Sequence, residues 1–214
     1  NPRQGAAHAV AKCARSIAAA GGEPIAITDC LNYGNPEDPQ VMWEFSEGVD
    51  GISEACRELE TPVVSGNVSL YNQTDGVSIA PTPMIGMVGR MLDVRKSIPA
   101  IIKNAGEIYI VHPKSARPTF GGSLAARVFK KDPLRGDIPK IDWAQEREAM
   151  SFIKGLIEKD DISACRDLGA GGIACTLSKM LMHNQSTFSA SLNIQNKNSQ
   201  GVDSVQWLFG EWSG

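Results

Sequence analysis

The sequence has little of what marks several functional classes. Its 214 residues include three histidines and five cysteines. No two cysteines form a C-x-x-C pair, and no histidine has metal-ligand spacing or a nucleophile motif beside it. Zinc sites, thioredoxin-like redox chemistry and a disulfide framework are therefore not expected. Cys13, Cys30, Cys56, Cys165 and Cys175 read as reduced, mostly buried thiols. His8, His112 and His183 read as structural or surface residues. Neither sign of charge is in excess: Lys plus Arg is 21, Asp plus Glu is 24, and the formal net charge is −3. With no dense basic run, electrostatics supplies no nucleic-acid or anionic-membrane partner. The tryptophans and methionines fall mostly on helical core positions and offer no stacking platform for single-stranded nucleic acid. No run approaches the roughly 18 apolar residues of a membrane span. The start, Asn1-Pro2-Arg3-Gln4-Gly5, lacks the charged and apolar regions of a signal peptide. A cytoplasmic location is expected, with no membrane and no nucleic acid among the partners.

What is present is the composition of a globular chain, at 42% hydrophobic and 21% charged residues. That excludes disorder, collagen and coiled coil, and leaves room for one large domain or two small ones. Val10, Cys13, Ala14 and Ile17 form an apolar stripe on a helix over 7–20, which Gly21-Gly22 stops. Residues 24–31 form a short buried strand, followed by a polar loop. Asp38 then Pro39 read as N-cap and first residue of a helix over 40–59. That helix carries Val41, Met42, Phe45, Val49, Ile52, Cys56 and Leu59 on one face. Segments 61–71 and 77–91 are rich in β-branched residues and read as strands joined by a turn over 72–76. A boundary falls at 94–99. Beyond it the pattern predicts a strand at 107–112, a Gly-rich loop and short helix over 120–129, and helices over 143–160 and 171–183. A strand is expected at 188–194, and another beginning near Phe209.

Three segments carry candidate chemistry. Asp29 closes an apolar strand, where ligands of α/β proteins usually bind, although an Asp there equally caps a turn. In Val63-Val64-Ser65-Gly66-Asn67-Val68-Ser69, alternation puts Ser65, Asn67 and Ser69 on one face. Gly66 admits a ligand to the backbone, the Asn67 amide oxygen suits a hard cation, and the Ser69 hydroxyl suits a phosphate or substrate. A strand with one wet face accounts for the same residues. Asp167-Leu168-Gly169-Ala170-Gly171-Gly172 is a glycine turn opening a helix, a weak anion-site signal that lacks the Walker lysine. Thr119-Phe120-Gly121-Gly122-Ser123 is a similar turn, for which tight helix packing serves equally well.

Together, the blocks Ile27 to Pro36, Met42-Trp43-Glu44-Phe45, Pro62 to Asn72 and Pro81 to Gly89 closely resemble the phosphoribosylformylglycinamidine synthase (PurL) family of purine biosynthesis. The resemblance covers essentially the whole chain and is weaker after about residue 94. It implies an α/β (α+β) fold within the PurM superfamily, matching the second of the family's two similar halves. Residues 1–93 would be a PurM N-terminal-like domain without its opening strands. Residues 94–214 would be a PurM C-terminal-like domain without its C-terminal part, with Phe209-Gly210-Glu211 at the family's F-G-E block. Trp212 stands where the family usually has Ser, which counts against a phosphate role for that loop.

The activity implied is a ligase reaction. Formylglycinamide ribonucleotide, ATP and glutamine-derived ammonia give formylglycinamidine ribonucleotide, ADP and phosphate through an iminophosphate. The resemblance places ATP at Asp29 and Gly66, Mg²⁺ at Asn67 and substrate at Ser69. It makes Asp167, Gly171, Gly172 and Glu211 weaker candidates for phosphate or metal. The family's catalytic histidine belongs to the first half, so this chain alone is not expected to turn over. Implied partners are the remaining part of the synthase, a PurQ-like glutaminase subunit or domain, and a PurS-like protein. An uncovered sheet edge or apolar face would also favour a homodimer. Two other readings stay open: a scaffold or structural nucleotide-binding half, and another ATP-using PurM-superfamily member.

Overall fold

The computed structural model describes residues 1–114, 116–129, 136–182, 189–192 and 202–212. These divide into two compact units, Asn1–Ala18 with Gly22–Leu92, and Ala19–Gly21 with Asp93–Gly214.

In the first unit, α1 (Pro2–Ala19) precedes β1 (Glu23–Asn32), α2 (Pro39–Glu58), β2 (Val63–Ser69), a small hairpin of β3 (Gln73–Thr74) and β4 (Val77–Ser78), and β5 (Thr82–Arg90). The N-terminal helix starts earlier than its apolar stripe predicts, because Ala6 and Ala7 are already buried. Gly21 at φ +94° ends it. Asp38 caps α2 by accepting the Gln40 N–H, with Pro39 in the first turn.

The three long strands are ordered β2-β1-β5, with β2 parallel and β5 antiparallel to β1. The turn over 72–76 forms, with Asp75 and Gly76 at φ +50° and +76°, but it closes only the β3–β4 hairpin. The long strands on either side of it do not pair with each other. Strand β1, whose Ile27 and Leu31 are buried, lies between them. There its backbone groups are satisfied on both edges, and α2 is the crossover to the parallel partner.

Helix α2 buries Val41, Gly48, Gly51, Ile52, Ala55 and Cys56, while Met42, expected on the core face, is 38% exposed. Contact through small residues explains the difference. A Cβ on Gly51 would stand 2.0 Å from the Arg3 carbonyl oxygen, and one on Gly48 would stand 2.3 Å from Tyr33 Oη. Side chains on that stripe would force the packing apart.

The second unit holds a 3₁₀ turn (Val94–Lys96) and four helices among its described residues: α3 (Leu124–Val128), α4 (Trp143–Glu158), α5 (Gly172–Met182) and α6 (Ser204–Phe209). Ala116, Ile173 and Trp212 form a buried cluster against which Ile110, Leu168, Leu192 and Trp207 pack. The strand expected at 107–112 is absent: no backbone partner reaches it among the described residues, and a strand persists only when its ladder is paired. Tyr109 in that segment is 75% exposed. Where a strand was expected to begin near Phe209, α6 ends instead, capped at its start by Asp203. Among the described residues the single bridge Thr119↔Glu211 follows. Phe188, Asn193, Ile194 and His183 lie outside the described residues; residues 189–192 are in no strand. None of the five cysteines is in a disulfide, but Cys56 alone is buried, so they are less sheltered than expected. No described helix is long and apolar enough to cross a membrane.

Candidate functional site

The β1–β2 pair places the first set of candidates. Its register sets Asp29 opposite Gly66, Cys30 opposite Asn67 and Asn32 opposite Ser69. Paired residues share a sheet face and successive residues alternate. Asp29 and Gly66 therefore face one side, together with buried Ile27 and Leu31, while Asn67 and Ser69 face the other.

On the covered side the Asp29 carboxylate leans across to its neighbour: a Cβ on Gly66 would lie 2.2 Å from Asp29 Oδ1 and 2.8 Å from its Cγ. Glycine at 66 thus makes room for this carboxylate. Burial raises the Asp29 carboxyl pKa from its ordinary value. Its negative charge in turn adds to the rise of the Cys56 thiol on α2, a rise caused first by burial of that thiol. Among the described residues Asp29 has no hydrogen-bond or ion-pair partner to offset its desolvation.

On the opposite face Asn67 is exposed and its side chain makes no hydrogen bond among the described residues. The Ser69 hydroxyl is already engaged by Asn72, 3.1 Å from its Nδ2. The same Nδ2 donates to the carbonyls of Tyr33 and Ser69 at 2.9 Å each. Asn72 thereby ties together the carboxyl ends of both strands, the region where α/β folds bind ligands. Sequence reasoning missed it because its significance lies in the returning chain, where Tyr71 at φ +60° turns the backbone. The face around Asn67 also carries Thr28, Cys30, Met84, Gly86 and Val88 by register. Met84 and Val88 are more than half exposed.

The donor set can be weighed against a Mg²⁺ ion. Asn67 offers one neutral oxygen of the right hardness, with serine hydroxyls as its neighbours on that face. The nearest-register carboxylate, Asp29, faces away. Among the described residues no three His, Cys, Asp or Glu side chains cluster as metal ligands. Asn67 fits as one contributor to a hydrated or phosphate-bound ion, and not as the core of an all-protein cage.

The second set lies in the other unit. Glu211 Oε1 accepts the N–H of Leu124 at 2.8 Å and of Gly171 at 3.2 Å. Gly171 and Gly172 are at φ +85° and +67°, backbone that favours glycine. A Cβ on Gly172 would sit 2.5 Å from the Gly210 carbonyl oxygen. Asp167, half-buried at the start of the turn, adds to the rise of the Cys165 thiol. Burial is the main cause of that rise, which takes the thiol up to about 11. Trp212 is in the core with its ring tilted against His112 at a centroid distance of 4.9 Å, so the departure from serine at this position is a packing residue here.

Residues 1–91 match the family "AIR synthase related protein, N-terminal domain". The phosphoribosylformylglycinamidine synthase subunit PurL of a Nitratiruptor species is 48% identical over 182 residues, 84% of this chain and 24% of that protein. The chain belongs to the PurL family. PurL of an Anaeromyxobacter species is 47% identical over 184 residues, 85% of this chain and 24% of that protein. The chain thus spans about a quarter of the length of these PurL relatives. Among solved structures, T. maritima PurL complexed with ATP matches with a TM-score of 0.52 and 25% identity, over 83% of this chain and 25% of that one. The α/β assignment follows from the same family and structural matches.

Proposed function

We propose that this chain is part of an ATP-dependent phosphoribosylformylglycinamidine synthase, contributing a nucleotide-binding segment to a site completed by the rest of the synthase. The observation that carries the reading is Asp29, a half-buried carboxylate without a partner among the described residues, held over a glycine near the carboxyl end of a parallel strand pair. An ionisable group kept desolvated and unpaired costs stability, and such groups concentrate at functional sites. In this reading Asp29 and Gly66 contact ATP. Asn67 gives one oxygen to Mg²⁺, and Ser69, oriented by Asn72, contacts the substrate. Mg²⁺, when bound, supplies positive charge against the phosphates.

The chain's own residues bind and orient. Gly66 leaves the backbone approachable, Asp29 presents a hydrogen-bond acceptor, and the Asn72 network fixes the strand ends against each other. Formylglycinamide ribonucleotide and ammonia from a PurQ-like glutaminase are the co-reactants, with a PurS-like protein as a further partner. The exposed face bearing Met84 and Val88, and the edge of β2, would be covered by the remaining synthase or by a second copy of this chain.

Calorimetry with Mg-ATP on the wild-type chain and on Asp29→Asn tests the reading. It expects measurable heat that falls at least about tenfold in affinity in the variant, the worth of one charge-assisted contact. No heat, or equal heats from both chains, would favour a scaffold role. Robust amidine formation by the chain alone would contradict its being a contributor to a larger site.

A further inference from the structure

Glu211 is held on both sides. Its backbone N–H donates to the Thr119 carbonyl and its carbonyl accepts the Thr119 N–H, each at 2.9 Å. The next residue, Trp212, is anchored in the core at 6% exposure. This two-way bridge and core anchor aim one carboxylate at two glycine-rich turns that lie far apart in sequence. Oε1 alone receives the N–H of Leu124, which opens α3 after Gly121-Gly122-Ser123. It also receives the N–H of Gly171, which precedes α5. The carbonyls of Leu208 and Gly210, one on either side of the α6 end, also close on Gly172: a Cβ there would meet them at 2.7 and 2.5 Å.

We infer that Glu211 is a positioning residue. Its carboxylate is the counter-anion of both turns, fastening them to each other and keeping external phosphate off their N–H groups. Backbone N–H groups of glycine turns attract anions. Here the anion comes from the same chain, at an effective concentration that free phosphate does not match, and its bonds are charge-assisted. The inference stands independently of the reading of β1 and β2. It gives the glycine turns a fastening role and leaves phosphate recognition to other residues.

Amide hydrogen exchange and NMR titration of the full 214-residue chain test it. Glu211→Ala should lower protection of the Leu124 and Gly171 amides at least about tenfold, the scale of a charge-assisted hydrogen bond. It should also make both amides respond to inorganic phosphate. Glu211→Gln should restore only part of the protection, since the amide retains the single accepting oxygen but not its charge. In the wild-type chain, phosphate or Mg²⁺ should leave both amide signals unmoved. A wild-type response at these amides would overturn the inference, as would unchanged protection in Glu211→Ala. The wild-type titration and Glu211→Gln decide the matter even if the alanine variant fails to fold.

Discussion

The contact between Asp29 and Gly66 can be weighed by a double-mutant cycle. Gly66→Ala places a methyl group 2.2 Å from Asp29 Oδ1 and 2.8 Å from Cγ, so the carboxylate has to swing aside. The remaining neighbour, the Asp29 carbonyl oxygen, lies at 3.2 Å and needs only a few tenths of an ångström. Overpacking of this kind costs about 1–3 kcal/mol. In an Asp29→Ala background both side-chain contacts are gone. There the same change should be neutral, or stabilising by up to about 0.5 kcal/mol, because alanine is less costly than glycine in a strand. The coupling energy should therefore fall at about 1–3 kcal/mol, at the upper end for residues in direct contact. Denaturant unfolding of the four chains measures it, with hydrogen exchange of 23–32 and 63–69 showing that the transition followed is that of this sheet. Additivity within about 0.5 kcal/mol would refute the claim that glycine is required at 66 by the carboxylate opposite.

The same logic applies to α2. Gly48→Ala meets Tyr33 Oη at 2.3 Å but Cζ at an ordinary 3.5 Å, so it should destabilise the first unit by about 1–3 kcal/mol. Tyr33→Phe, which deletes the offending atom, should recover most of that in thermal unfolding; no recovery would place the strain elsewhere. For the thiols, burial raises Cys165 to about 11 and lifts Cys56 as well. A raised thiol pKa means less thiolate at pH 8 and slower attack on an alkylating agent. Cys165 should remain largely unmodified by iodoacetamide at that pH when mass spectrometry shows Cys13 and Cys175 labelled, and its labelling should accelerate as pH rises toward 11. Early labelling of Cys165 would show that its surroundings are open.

Several features were legible in the sequence because their causes are local. Asp38 before Pro39 specifies a helix start within a few bonds, and Gly21 stops a helix by its own backbone freedom. Alternation correctly put Asn67 and Ser69 on one strand face, since a strand's period needs no partner to define it. The blocks from Ile27 to Gly89 carried the family as well, because their residue order and spacing are legible without any tertiary contact.

Tertiary structure decided the rest, where the relevant neighbour is distant in the chain. Only pairing with β1 reveals that Asp29 and Gly66 face away from Asn67 and Ser69, and that β1 separates β2 from β5. Hydropathy weights large side chains, so it put Met42 on the core face of α2, whereas close packing there runs through Gly48, Gly51 and Ala55. The apolar run at 107–112 satisfies every local rule for a strand, yet a ladder needs a second strand, and local pattern cannot provide one. The family resemblance makes Glu211 a candidate for phosphate or metal. The fold commits its carboxylate to the N–H groups of Leu124 and Gly171, because folding brings those donors within hydrogen-bond distance and the linear sequence keeps them apart.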